Sequence, residues 1–217
     1  NDRPLRKKEI NLEKLNAKSP RNDSLEITVA AELMANFWLS NSKKALEKIK
    51  NIDYNNFPKI PRSTRLGSCL ADAPNFYCIG MNYAKHAKET NAPIPKEPIV
   101  FSKATTSITG PNDQVIIPKG STETDWEVEL GVIIGKNCQY VSEKDALSVV
   151  SGYCIVNDVS ERSYQFDRGG QWIKGKSAPT FAPIGPFLVT SDEVENPQNL
   201  SLQLKLNNKV VQKSNTS

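Results

Sequence analysis

Apolar positions along this chain follow two different rhythms. Between Ser24 and Ile52, Leu33, Phe37 and Trp38, and then Ala45, Ile49 and Ile52, recur at three- and four-residue spacing. Lys43, Lys44, Lys48 and Lys50 fall on the other faces, so the spacing predicts a helix. Asp53 to Ser68 is rich in Asn and Pro and reads as a connecting loop. From Asn75 the pattern shortens to brief apolar runs between turns. Strands are expected at Tyr77-Cys78-Ile79, Ile99-Val100-Phe101, Gln114-Val115-Ile116-Ile117, Ser151 to Val156 and Phe187-Leu188-Val189. Ser142 to Val149 predicts a short helix capped by Ser142, with Asp145 three positions on. Leu202 to Val211 predicts a hairpin turning at Asn207-Asn208. The division expected is a helical and loop region over 1–72 and a β-rich α+β domain over 73–217.

One run departs from ordinary patterning: Asp125-Trp126-Glu127-Val128-Glu129-Leu130-Gly131-Val132-Ile133-Ile134-Gly135. In a strand Glu127 and Glu129 share one face, and Trp126, Val128 and Leu130 share the other, which the apolar content assigns to the core. Two adjacent carboxylates repel each other and lose solvation on burial. A divalent cation between them relieves both costs, because carboxylate oxygens are its natural ligands. The same alternation also describes the solvated face of an antiparallel sheet.

Composition narrows the partners. The chain has 217 residues with 28 basic and 24 acidic side chains, a net charge of +4, which is too small to point to nucleic acid. Its apolar runs are too short to span a bilayer, so no membrane partner is expected. Cys69, Cys78, Cys138 and Cys154 form no C-x-x-C pair and read as free thiols in a reducing compartment. No intact targeting peptide is visible. The compartment expected is mitochondrial, with the presequence absent from this chain, and cytoplasmic is the alternative.

Four further positions bear chemistry. His86, the only histidine, lies three residues before Glu89, a spacing that lets a helix pair them as a proton-moving dyad or leaves them as an incidental surface pair. Asp158 follows the apolar run Tyr153 to Val156. If a helix begins at Asp158, Arg162 and Gln165 lie on its face. Lys176 follows Gly175 and the flexible pair Gly169-Gly170, and Lys103 ends the run Phe101-Ser102-Lys103. Either lysine could neutralise an enolate or carboxylate, or be a solvated loop lysine.

The stretches Gly80-Met81-Asn82-Tyr83 with His86 and Glu89, Pro98-Ile99-Val100-Phe101-Ser102-Lys103, Asp125 to Leu130, Asn157-Asp158-Val159-Ser160 with Arg162, and Gly175-Lys176-Ser177 resemble, in order and spacing, the fumarylacetoacetate hydrolase family. The resemblance runs from about Asn75 to Ser217. It implies a mixed β-sandwich roll and a homodimer. It implies Mg²⁺, with Mn²⁺ or Ca²⁺ as alternatives, held by Glu127, Glu129 and Asp158. His86 and Glu89 would move a proton, Lys176 would stabilise an enolate-like intermediate, and Lys103, Arg162 and Gln165 would hold the substrate. The activity implied is C–C bond hydrolysis of acylpyruvate-type 2-oxo or β-diketo acids, or alternatively keto–enol tautomerisation or decarboxylation of oxaloacetate. Met81 stands where some members carry Arg. The family pattern continues with a helix, more strands and a Gly-Thr-Pro loop that nothing after Ser217 supplies. The expectation is therefore a domain with its C-terminal part missing. A truncated, non-catalytic module that binds metal or a partner is the alternative of another class.

Overall fold

The computed structural model describes residues 47, 50–53, 61, 63–70, 73–83, 93 and 95–217. Most of the helical rhythm before Ile52, and both His86 and Glu89, lie outside the described residues. Within them Glu47 and Lys50 are helical, joined by the Asn51 N–H donating to the Glu47 carbonyl. No helix among the described residues is long and apolar enough to cross a membrane.

The architecture is β-rich and mixed. β1 (Tyr77–Gly80) pairs antiparallel with β2 (Ile99–Ser102). β3 (Ile108–Thr109) pairs parallel with β8 (Ala182–Pro183). β5 (Val128–Ile134), β6 (Val150–Asn157) and β9 (Val189–Thr190) form an antiparallel sheet with β6 in the middle. β10 (Ser201–Leu206) and β11 (Lys209–Asn215) form the C-terminal hairpin, whose turn residues Asn207 and Asn208 take positive φ of 49° and 65°. Asn tolerates that region better than most residues, which is why Asn-Asn marks this turn. Two short helices, α1 (Arg162–Phe166) and α2 (Ile173–Lys176), are separated by Gly169 and Gly170, both at positive φ. The 142–149 segment is a 3₁₀ helix over Glu143–Val149, with the Ser142 hydroxyl donating to the Asp145 carboxylate.

One pairing matters most for the site. β4 (Thr124–Asp125) opposes β7 (Ser160–Glu161), with Asp125 across from Ser160. β5 then opposes β6, with Val128 across from Asn157. The two ladders keep one register through the gap between them. Glu127 therefore lies across from Asp158, and the Asp158 N–H donates to the Glu127 carbonyl at 2.8 Å. Opposed residues share a face, so Glu127, Asp158 and Glu129 project together.

This face is the core face, which reverses the sequence expectation. Glu129 opposes Val156 and Gly131 opposes Cys154, and Val156, Cys154 and Ile184 form the buried cluster with Ile133, Cys69, Leu70, Phe76 and Ile108 packed against it. The face assigned to the core instead carries Val132 and Ile134, about half exposed, together with Ile155 of β6. Apolar content misled because the more apolar face of β5, with Val128, Leu130, Val132 and Ile134, is the one turned away from the buried cluster. Gly131 marks the true choice: a Cβ there would come within 2.6 Å of Cys154 Sγ, so the buried cluster packs directly onto the strand at this position. Two further expectations fail. Gln114 to Ile117 is not a strand. It lies between Pro111 and Pro118, and the Ile116 N–H donates to the Thr180 hydroxyl and not to a neighbouring strand. Asp158 is not on a helix. It precedes β7, and helix α1 starts at Arg162.

Candidate active site

At the end of the β5–β6 face three carboxylates meet three basic side chains. The Lys176 ammonium, 2% exposed, donates to Glu127 Oε2 at 2.9 Å and Asp158 Oδ2 at 2.8 Å. The Lys103 ammonium, fully buried, donates to Asp158 Oδ1 at 2.7 Å and to the Val159 carbonyl at 3.1 Å. Arg162 Nη2 reaches Glu127 Oε1 at 2.6 Å and Asp125 Oδ2 at 2.7 Å, while its Nη1 donates to Gln165 Oε1 at 3.0 Å. Arg162, 27% exposed, is the one of these three cations that still reaches solvent. Burial alone would raise the Asp158 carboxyl, but Lys103 and Lys176 outweigh it and hold the group below the usual range. Burial pushes Lys103 down despite Asp158.

Local packing explains these positions. Gly175 lets α2 press against α1: a Cβ there would lie 2.4 Å from the Glu161 carbonyl and 2.7 Å from the Gln165 nitrogen. Trp172 fixes the approach by edge contacts with Phe101 and Phe166, at 5.2 and 6.0 Å between centroids. Lys176 is thereby carried over the Phe101 ring, 5.1 Å from its centroid. The buried Glu161 carboxylate accepts from the hydroxyls of Ser121, Thr124 and Ser163 and from the Glu123 N–H. These bonds tie the 121–125 loop, and with it Asp125, to the start of α1.

Glu129 is the exception in this charge balance. Among the described residues no basic side chain pairs with it. Its carboxyl is pushed up to about 7, first by burial and then by the charges of Glu127 and Asp158. Tyr83 donates its hydroxyl to Glu129, and burial followed by that charge pushes the phenol up to about 12. Asp125, Glu127, Glu129 and Asp158 together carry one more charge than Lys103, Lys176 and Arg162 balance. A cation beside Glu129 would more than offset that excess, and the oxygen donors are of the kind a hard divalent ion takes. The three carboxylates are not gathered as a ready-made cage: no group of three His, Cys, Asp or Glu side chains is so arranged among the described residues. Every oxygen of Glu127 and Asp158 already accepts from a basic group, although each carboxylate oxygen has a second acceptor site.

The structure brings together Glu127, Glu129, Asp158, Lys176, Lys103, Arg162 and Gln165. Lys103 and Gln165 are spent on Asp158 and Arg162 respectively. Asp125 and Tyr83 join the cluster although sequence reasoning did not single them out. The alternation Asp125, Glu127, Glu129 on one strand line was the available signal for the first. Tyr83 had none, since its distance from Glu129 in sequence hides the contact.

A carboxylate–lysine centre set at the end of a mixed β scaffold is the class of site that fold and geometry define. The family model described as fumarylacetoacetate (FAA) hydrolase C-terminal matches residues 75–217, and the chain belongs to this family. A Burkholderia cenocepacia protein named "Putative hydrolase" is 53% identical over 175 residues, covering 81% of this chain and 62% of that protein. The chain thus spans 62% of the length of the curated relatives it matches. A solved fumarylacetoacetate hydrolase from psychrophilic Exiguobacterium antarcticum is 32% identical with a TM-score of 0.67, over 76% of this chain and 59% of that one. A 5-carboxymethyl-2-hydroxymuconate delta-isomerase from Mycobacterium smegmatis is 36% identical with a TM-score of 0.62, over 70% and 59%. Hydrolases and isomerases thus both occur by name among its relatives.

Proposed function

We propose that this chain is the catalytic part of a divalent-metal-dependent enzyme that cleaves a C–C bond in an acylpyruvate-type 2-oxo or β-diketo acid by hydrolysis. The observation that carries the reading is the Lys176 ammonium bridging Glu127 and Asp158 beside the uncompensated Glu129. Glu127, Glu129 and Asp158 would hold the cation, taken as Mg²⁺, with Mn²⁺ or Ca²⁺ as alternatives. Bound there, it would supply Lewis-acid charge to adjacent substrate oxygens.

The chain's own residues account for the rest. Arg162 reaches solvent and meets an incoming carboxylate first. Water, deprotonated by the His86–Glu89 dyad, adds to the outer carbonyl carbon. As the C–C bond breaks, its electron pair moves toward the 2-oxo oxygen, and the fixed positive charge of Lys176 lowers the cost of that developing oxyanion. The released carbon then takes a proton from the dyad. The same reading takes the protein to be a mitochondrial homodimer, with cytoplasm as the alternative; light scattering and cell fractionation test the two parts.

The test is turnover of acylpyruvates, fumarylacetoacetate and oxaloacetate with Mg²⁺ by the full-length protein. Glu127→Ala should abolish it and weaken metal binding. Unchanged turnover and unchanged metal binding in that variant would sink the assignment. Tautomerisation or decarboxylation of oxaloacetate is the second reading, supported by the isomerase among the structural neighbours. It predicts enol-to-keto conversion or CO₂ release without acylpyruvate cleavage.

A further inference from the structure

We propose that Gln212, on the C-terminal hairpin, is a positioning residue for Glu127. The inference rests on the reading that Glu127, Glu129 and Asp158 hold a divalent cation.

Glu127 occupies the gap between β4 and β5, where regular pairing lapses. In an antiparallel pair, a residue whose amide and carbonyl face the partner strand is flanked by two residues whose groups face away. Glu127 faces Asp158: its carbonyl accepts from the Asp158 N–H at 2.8 Å. Its own N–H does not complete the exchange. It donates to the side-chain oxygen of Asn157 at 3.2 Å. On the flanks, the Trp126 N–H donates to Asp125 Oδ1 at 2.9 Å, while the Trp126 carbonyl and the Val128 N–H both meet a single side chain. Gln212 Oε1 accepts from the Val128 N–H at 2.9 Å, and its Nε2 donates to the Trp126 carbonyl at 3.2 Å.

One carboxamide therefore acts as a one-residue strand on the far edge of the gap. It needs both a donor and an acceptor at one tip, which Gln supplies. Gln212 lies opposite Leu204, next to the irregularity between Leu204 and Lys205 where the hairpin ladder shifts. Without the amide, the Trp126–Val128 backbone is held from one edge alone, by the Glu127 bonds to Asp158 and Asn157, and the Glu127 carboxylate is less firmly aimed. Outer-shell groups that orient a metal ligand typically govern metal affinity by about 10- to 100-fold, and Gln212, acting through the backbone on both sides of Glu127, falls at the low end.

The experiment measures Mn²⁺ affinity by calorimetry on metal-stripped full-length protein, well below the melting temperature, for wild type, Gln212→Met and Glu129→Gln. Gln212→Met keeps the length and removes both hydrogen bonds. The expected result is an affinity loss of about tenfold or more in Gln212→Met, larger than any accompanying shift in melting temperature can explain. Affinity within twofold of wild type in a folded Gln212→Met protein overturns the proposal, even if the melting temperature falls, since that is the behaviour of a purely structural anchor. If Gln212→Met does not fold, Gln212→Asn decides on the same criterion, because it stays neutral and polar but is one methylene too short to reach the Val128 N–H and the Trp126 carbonyl together. Should Glu129→Gln bind Mn²⁺ as wild type does, the carboxylate reading fails and takes this proposal with it. Weakened binding in Glu129→Gln with normal binding in Gln212→Met rejects Gln212 alone.

Discussion

Glu161→Gln tests how the site is framed. The Glu161 side chain is fully buried and has four donors directed at it: the hydroxyls of Ser121, Thr124 and Ser163 and the Glu123 N–H. No basic side chain pairs with it among the described residues, so the hydroxyls and amide hold its charge. A charged acceptor makes each bond worth about 1.5–3 kcal/mol, against about 1 kcal/mol when neutral. Gln keeps the shape and one acceptor oxygen. The hydroxyls can turn to accept from its NH₂ group, but the Glu123 N–H cannot. Losing charge assistance on two or three bonds gives a destabilisation of about 2–3 kcal/mol at pH 7. For a chain of this size that lowers the melting temperature by about 4–12 °C. Burial raises the Glu161 carboxyl, but the hydroxyl and amide donors outweigh it and bring it to about 2. A depressed carboxyl contributes stability that is present above its unfolded value and lost as pH falls through its folded one. The gap between wild type and Glu161→Gln should therefore be full at pH 7 and shrink from about pH 4.5 down toward pH 2. Thermal melts followed by circular dichroism at pH 7 and pH 3 measure it. Melting within 2 °C of wild type at pH 7, or a gap as wide at pH 3 as at pH 7, would refute the account.

Other substitutions probe other links. Lys103→Met leaves buried Asp158 with Lys176 as its remaining basic partner, and should cost about 3 kcal/mol in chemical denaturation, the low end for breaking a buried pair. Gly131→Ala forces a Cβ to 2.6 Å from Cys154 Sγ and 2.8 Å from Val156 Cγ2, so overpacking of about 1–3 kcal/mol should lower the denaturation midpoint. Asn208→Gly, at φ 65° in the hairpin turn, should raise the melting temperature slightly, because Asn-Gly suits such turns better than Asn-Asn.

Legibility in the sequence followed the range of the interaction. The Asn207-Asn208 turn and the strands at Tyr77 and Ile99 depend on local patterning and were readable. The shared face of Glu127 and Glu129 was readable too, since it follows from the pleat alone. Which side that face turned to was not, because Val128, Leu130, Val132 and Ile134 made the opposite face the more apolar one. Gly131 marks the buried side only through Cys154, a residue 23 positions away on another strand. Arg162 and Gln165 were placed together correctly, but Asp158 reaches them by strand pairing and not along a helix. For Lys103 the loop reading stayed open beside the substrate-holding one, because nothing nearby in sequence marks its burial. Its partner Asp158 is 55 residues on.

The single register kept from Thr124 to Ile133 also limits how this chain can change length. The segment joining β5 to β6, residues 135–149, can gain or lose residues without moving any carboxylate, provided the pairing of Val128 with Asn157 is kept. A single-residue deletion within Val128–Ile134 is different in kind. Re-pairing the strand one step along would turn Gly131's small face outward and drive bulk into the Cys154 layer. Keeping the pairing would instead pull Glu127 out of line with Asp158. Length variation among natural or engineered versions of this domain should therefore collect in the connection and be excluded from the strand.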